Sequence, residues 1–152
     1  MEIGCRRVVF AKFAAEEYGP SVKGITVSKE QKNLADELCE GLDVKIELKD
    51  YREVSGEFNR IVSIWMFEHV GYTKYRTFME VACNSLTEDG LFLLNSIGAN
   101  DSGKSTDAWI AKYIFPNSML PPASQIASAS EGFFIIEDWH NFGEYYDNTL
   151  KA

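Results

Sequence analysis

Two segments decide what kind of sheet this chain can build. FNRIVSIWMF (58–67) and LFLLNSIG (91–98) are almost unbroken apolar runs. A strand can be apolar on both sides only where both faces are covered, as in a parallel sheet held between helix layers. The neighbouring segments alternate to suit. Phe10, Ala11, Ala14, Ala15 and Tyr18 recur at helical spacing and are stopped by Gly19 and Pro20. SVKGITVS (21–28) is a β-branched strand, and Ser28 with Gln31 forms a capping box ahead of Leu34, Ala35, Leu38 and Leu42. VKIELKD (44–50) sets Val44, Ile46 and Leu48 against charged neighbours, a third strand pattern. Tyr75, Phe78, Met79, Ala82, Cys83 and Leu86 mark one face of a helix that ends at the turn TEDG (87–90). Helices are expected in DAWIAKYIF (107–115) and PASQIASASE (122–131), a last strand in GFFIIEDWHNFG (132–143), and the start of a helix in EYYDNTLKA (144–152).

This order predicts one α/β domain over 1–152, Rossmann-like, with a mostly parallel sheet and helices on both faces. Ligands of such sheets bind beyond the carboxyl ends of the strands, where the strand order reverses. The loops after Ile3, Val27, Leu48, Ile64 and Leu94 are therefore the places to look. With 15 basic against 23 acidic residues, a net charge of -8, the chain repels phosphate backbones, and no nucleic-acid partner is expected. No apolar run approaches the roughly 18 residues of a membrane span, and MEIGCRRVV lacks the features of a signal peptide, so a cytoplasmic location is expected. Cys5, Cys39 and Cys83 are odd in number and far apart; they read as reduced thiols, with no metal site.

Local chemistry leaves alternatives open. EIGC (2–5) stands where a nucleotide-binding fold puts a glycine loop, a weak signal alone, and the chain has no intact G-x-G-x-x-G for a nicotinamide cofactor. Gln31 suits a cap as well as a ribose contact. Glu68 beside His69, just past a buried strand, needs partners for its charge and reads as a ligand or active-site acid, or else as a loop ion pair. His69 and His140 fit structural hydrogen bonding. Trp109, Tyr113 and Phe115 fit packing or an acyl-binding stripe.

The ordered series GITVSKEQ, LKDYRE, FNRIVSIWMFEHVG, YRTFMEV, DGLFLLNSIG, WIAKYIFPNSMLP, QIASASE and EDWHNFGEYYDNTL resembles the cyclopropane-fatty-acyl-phospholipid synthases, S-adenosylmethionine-dependent enzymes of the class I methyltransferase fold. FEHVG, KYIFPN and EDWHNFG carry most of that likeness, which runs from about Glu2 to Leu150. It implies transfer of a methylene from S-adenosylmethionine to the cis double bond of an unsaturated phospholipid acyl chain at a membrane surface. The enzyme would then touch the inner membrane face peripherally. A bound bicarbonate would take the proton that closes the ring. By the same likeness its ligands are Glu68, Asn95 in place of a histidine, the Ile97 amide and Tyr146. The cofactor contacts are Gly4, Thr26 with Ser28 and Gln31 for the ribose, Asp50 and Tyr51 at the adenine, and Ser63 and Ile64 at the methionine end.

Three departures from the family stand out. Arg6, Arg7 and Val8 replace the residues of a Gly-Cys-Gly-Trp-Gly loop, and β-branched Val8 should resist a positive φ. Trp65 stands in place of a glycine. The first strand is cut short and the last one lies outside the chain, so the sheet is expected to be incomplete at both. Unpaired edges then predict a homo-oligomer, with local rearrangement around Phe133 to Asp138 as the competing outcome. The alternative to an enzyme is a non-catalytic, truncated remnant acting as an oligomerising or binding module.

Overall fold

The computed structural model describes residues 1–5, 8–100, 109, 112, 119–145 and 151. The two apolar runs become neighbouring strands, but the second is not covered on both faces as expected, since no residue of Leu86–Asn95 is fully buried. Five strands, β1 (Glu2–Ile3), β2 (Val22–Thr26), β3 (Val44–Leu48), β4 (Phe58–Ile64) and β5 (Leu86–Asn95), form one parallel sheet in the order β3-β2-β1-β4-β5. The helices are α1 (Val9–Tyr18), α2 (Lys29–Leu38), α3 (Tyr75–Asn84) and α4 (Ala123–Ser130). Each parallel connection needs such a crossover. The first one and the Ser28-capped second one lie where the periodicity puts them. No helix among the described residues is long and apolar enough to cross a membrane.

Register explains the two cores. Ile3 pairs with Ile25, and with Ile61 they face Phe67, Tyr75, Phe78, Met79 and Ala129 of the α3–α4 side. Val22 and Ile46 face the other way, into a smaller cluster with Cys5, Val8, Ala11, Ala35 and Cys39 on the α1–α2 side. Cys5 and Cys39 are buried free thiols as read from the sequence, while Cys83 is half-buried and donates to the Phe133 carbonyl at 3.5 Å. Leu91 and Leu93 are both exposed, and their register with Arg60 and Val62 puts them at the β4–β5 end of the sheet.

Two expectations are corrected. TEDG does not separate a helix from a strand, since Leu86 already pairs with Phe58 and belongs to β5. The turn survives inside the strand as a bulge. Between the Phe58–Leu86 and Arg60–Leu91 partnerships, β4 advances two residues and β5 five. The fold-back is tight enough that a Cβ on Gly90 would lie 2.8 Å from the Thr87 carbonyl. The second correction is that GFFIIEDWHNFG forms no strand. Phe133 and Phe134 pack on the α3 core, and Arg76 caps the segment with its guanidinium 4.6 Å over the Phe133 ring. Ile135 is then 90% exposed. A strand exists only through its neighbour's ladder, and these anchors hold the segment against α3 rather than in a ladder with β5.

Candidate active-site crevice

The strand order reverses between β1 and β4, so the crevice lies beyond Ile3 and Ile64. The chain leaves β1 through Gly4 at φ 84, and Met66, just past β4, packs directly over it. A Cβ at Gly4 would lie 2.7 Å from the Met66 Cβ, so glycine is required there twice over, by its φ and by that close approach. The Gly4 and Cys5 amides both donate to the Ile25 carbonyl, at 3.1 and 2.9 Å.

Two non-glycine residues have a positive φ among the described residues, and they are the departures noted above. Val8, at φ 61, is the N-cap residue of α1 and only 1% exposed; Trp65, at φ 56, is 48% exposed. The expected resistance of Val8 is overridden by its burial in the α1 cluster. Each such residue stores strain of about 1–2 kcal/mol. Val8 has no capping side chain; the Glu2 carboxylate, buried in the strand below, accepts from the Cys5 thiol at 3.3 Å, and the Ala11 backbone favours its ionised form. Burial pushes the Glu2 carboxyl above its ordinary value. It also pushes the Cys5 thiol up, making it unreactive, with the Glu2 charge adding to the effect. Glu2 was missed in the sequence, where its signal is an acid inside a strand between two apolar residues.

The ribose candidates meet at the end of β2. The Thr26 hydroxyl donates to Gln31 Oε1 at 2.6 Å and accepts from the Ser28 amide at 3.2 Å, while Ser28 Oγ accepts from the Gln31 amide at 3.2 Å. Half of the capping box therefore forms, and Thr26 rather than Ser28 takes the Gln31 side chain. Asp50 follows β3 and is held by Arg52 in a two-point pair at 2.9 and 2.7 Å. Those hydrogen bonds keep its carboxyl at about 2. Tyr51 beside it packs on Phe78 at 5.2 Å. At the end of β4, Ser63 is fully buried, its Oγ without a partner among the described residues, and Ile64 is half-buried.

Glu68 sits in a 3-10 turn, Phe67–His69, and is 5% exposed. The Ile97 amide donates to its Oε1 at 2.6 Å, and the Met119 amide to its backbone carbonyl at 2.9 Å. Its Oε2 is buried with no partner among the described residues. Asn95, opposite Ile64 in the ladder, accepts the Trp65 amide on its carbonyl at 3.1 Å. Glu68 and Ile97 are thus brought together and Asn95 lies two residues away, while Tyr146, Arg6, Arg7, Tyr113 and Phe115 are outside the described residues. His69 is exposed, and His140 is exposed and stacked on Phe142 at 4.2 Å. Trp109, at 60% exposure, is not a core residue. Among the described residues no cluster of three metal-type ligands exists.

This arrangement was compared with known proteins. The profile of the mycolic acid cyclopropane synthetase family matches residues 1–152. The cyclopropane-fatty-acyl-phospholipid synthase of Escherichia coli K12 is 50% identical over 152 residues, which cover 100% of this chain and 40% of that protein. The chain thus spans about two fifths of that relative's length. Among solved structures, the cyclopropane synthase MmaA2 from Mycobacterium tuberculosis aligns with a TM-score of 0.87 at 26% identity, covering 99% of this chain and 59% of the other. Mycolic acid cyclopropane synthase CmaA1 complexed with SAH and CTAB gives the same TM-score and identity over 99% and 60%. The five-stranded parallel sheet is the Rossmann-like class I methyltransferase fold of these neighbours. With the profile matched from end to end, this chain belongs to the mycolic acid cyclopropane synthetase family.

Proposed function

We propose that this chain carries the cofactor and acid sites of an S-adenosylmethionine-dependent enzyme that builds a cyclopropane ring on the cis double bond of an unsaturated phospholipid acyl chain. One observation carries the reading. Glu68 is a buried carboxylate with one oxygen held by the Ile97 amide and the other without a partner among the described residues, at the mouth of the strand-order switch. A buried ionised oxygen without a partner is costly unless something polar meets it, which is how an acid site is built. Family membership and the SAH-bound CmaA1 structure support the choice of cofactor.

On this reading Thr26, Ser28 and Gln31 hold the ribose, Asp50 and Tyr51 the adenine, and Ser63 and Ile64 the methionine end. Gly4 lets the backbone approach closely. S-adenosylmethionine supplies the electrophilic methyl carbon, and bicarbonate the proton acceptor. The residues suit both groups: a hydroxyl–amide set ends β2, and Glu68 Oε2 can accept the hydrogen bond of a bicarbonate O–H. Ile97, whose N–H already serves Glu68, would share it with the anion, and Tyr146 would close the far side. Asn95 orients the anion by hydrogen bonding and takes no proton at neutral pH. The acyl chain would be reached at a membrane surface, with the protein peripheral to the cytoplasmic side. A homo-oligomer, with a second copy along the edge of β5, is part of the proposal; light scattering during gel filtration reads it directly, and a monodisperse monomer would remove it.

The test is a calorimetric titration with S-adenosylhomocysteine, paired with 13C-bicarbonate line broadening. Binding of both is expected, with Gln31→Leu weakening the nucleoside about tenfold and Glu68→Gln abolishing the bicarbonate effect. Failure of both ligands to bind, in the unaltered chain and after glycine is placed at Val8 and Trp65, would refute the reading.

A further inference from the structure

We propose that Tyr75 is a positioning residue for Glu68, its hydroxyl holding through one buried water the carboxylate oxygen that Ile97 leaves free. The inference rests on Glu68 being the acid of the site. Tyr75 opens α3 and is 2% exposed, its ring stacked on Phe67, the residue before Glu68, at 4.1 Å and 21°. Its hydroxyl is buried without a hydrogen-bond partner among the described residues, and so is Glu68 Oε2. One group is a donor and the other an acceptor, and each is expensive to leave unpaired. The stack on Phe67 sets Tyr75 beside the residue that precedes Glu68, and burial first, and the Glu68 charge second, push the phenol up to about 12, which keeps it a protonated donor.

Two further buried polar atoms without partners among the described residues sit on the elements framing this crevice. They are Ser63 Oγ, next to last in β4, and Gln125 Oε1, in the first turn of α4. The loop after β5 is tied to the start of α4 by the Ala99 amide on the Pro121 carbonyl at 3.2 Å. A buried water ordinarily makes two to four hydrogen bonds, and the Tyr75 hydroxyl and Glu68 Oε2 would supply two of them. A carboxylate fixed at both oxygens presents one orientation to the crevice, which a single amide contact cannot enforce.

The experiment compares the unaltered chain with Tyr75→Phe, Glu68→Gln and the double variant. Phenylalanine keeps the stack on Phe67, so a ring that only packs would not notice the change. The carboxylate stretch of Glu68, isolated by subtracting the Glu68→Gln infrared spectrum, is expected to shift in Tyr75→Phe. The melting temperature is expected to fall by about 3 °C, and the fall to vanish in the Glu68→Gln background. An unmoved band overturns the proposal whatever the melt does. Should Tyr75→Phe not fold, a slowly exchanging tyrosine hydroxyl proton, displaced by Glu68→Gln, gives the same reading by NMR, and its absence overturns it. The 13C-bicarbonate measurement separates the two ideas. A moved band without bicarbonate binding breaks the reading of the site alone, and bicarbonate binding with an unmoved band breaks the role of Tyr75 alone.

Discussion

The two walls of the crevice are built on different principles. On the Gly4 side, which includes Trp65, the backbone is strained: Val8 at φ 61 and Trp65 at φ 56 occupy a region that favours glycine. On the Glu68 side the difficulty is in the side chains, with Glu68 Oε2 and the Tyr75 hydroxyl buried and without partners among the described residues. Met66 joins the two walls, lying over Gly4 and preceding Phe67 and Glu68. The difference shows which kind of change a site absorbs. Strain of about 1–2 kcal/mol per residue is offset by ordinary packing elsewhere and leaves the fold intact. An unpaired buried carboxylate oxygen is less forgiving, and it is kept only where something polar meets it.

The strongest way to break the comparison is Glu68→Ala. It strands the half-buried Ile97 amide, and about 3 kcal/mol of stability should be lost in urea unfolding. A loss below 1 kcal/mol would mean that the acid wall is not held by Glu68. Gly4→Ala probes the opposite wall. A Cβ meets Met66 at 2.7 Å and sits at φ 84, so a loss of about 2 kcal/mol is expected. Adding Met66→Gly removes the clash but not the φ at position 4, and should restore only part of it.

Relief of strain is a subtler lever. Val8→Gly removes strain but also gives up the burial of a side chain that is 1% exposed, worth about 1.5–3 kcal/mol, so the melt should fall slightly. Trp65→Gly gives up less burial, and its melt should stay within about 1 kcal/mol of the unaltered chain. Combined, the two should tighten S-adenosylhomocysteine about tenfold by calorimetry. Unchanged affinity would mean that the strained wall does not meet the nucleoside.

The smallest effects lie in the titration of two carboxyls of opposite sign. Asp50, held down at about 2 by Arg52, contributes stability that is present above the ordinary aspartate value near 3.8 and is lost as pH falls through about 2. Glu2 is raised by burial, so its contribution falls as pH climbs from the ordinary 4.5 through the higher native value. Glu2→Gln keeps an acceptor for the Cys5 thiol and should flatten the stability profile on the alkaline side of 4.5. A profile unchanged by that substitution would place the titrating group elsewhere.

Much of this was legible in the chain because periodicity reports burial. Val22, Ile46, Ile61 and Phe78 fall in the cores that their spacing implies. What escaped depends on partners distant in sequence. GFFIIEDWHNFG (132–143) has the composition of a strand, but Phe133 is taken by Arg76 of α3 and the Phe134 ring lies against Phe92 of β5. Glu2 reads as a stray charge until Ala11 and Cys5 are folded onto it. Val8 was legible as a conflict of residue type with φ, whereas the positive φ of Trp65 is not visible locally. Tyr75 looked like any core aromatic, since only the placement of Phe67 and Glu68 shows its hydroxyl to matter.

The bulge in β5 makes the length of this chain adjustable at one point. Pairing is fixed at Phe58–Leu86 below it and at Arg60–Leu91 above it, while Glu88 and Asp89 between them are exposed. Residues inserted between Glu88 and Asp89 lengthen an outward loop without sliding Leu91 to Asn95 along β4, at a closure cost that grows only slowly with length. An epitope or a dye-bearing cysteine placed there would leave the Ile97 amide on Glu68. A single residue inserted two residues past Leu91 would throw every later side chain of β5 onto the wrong face.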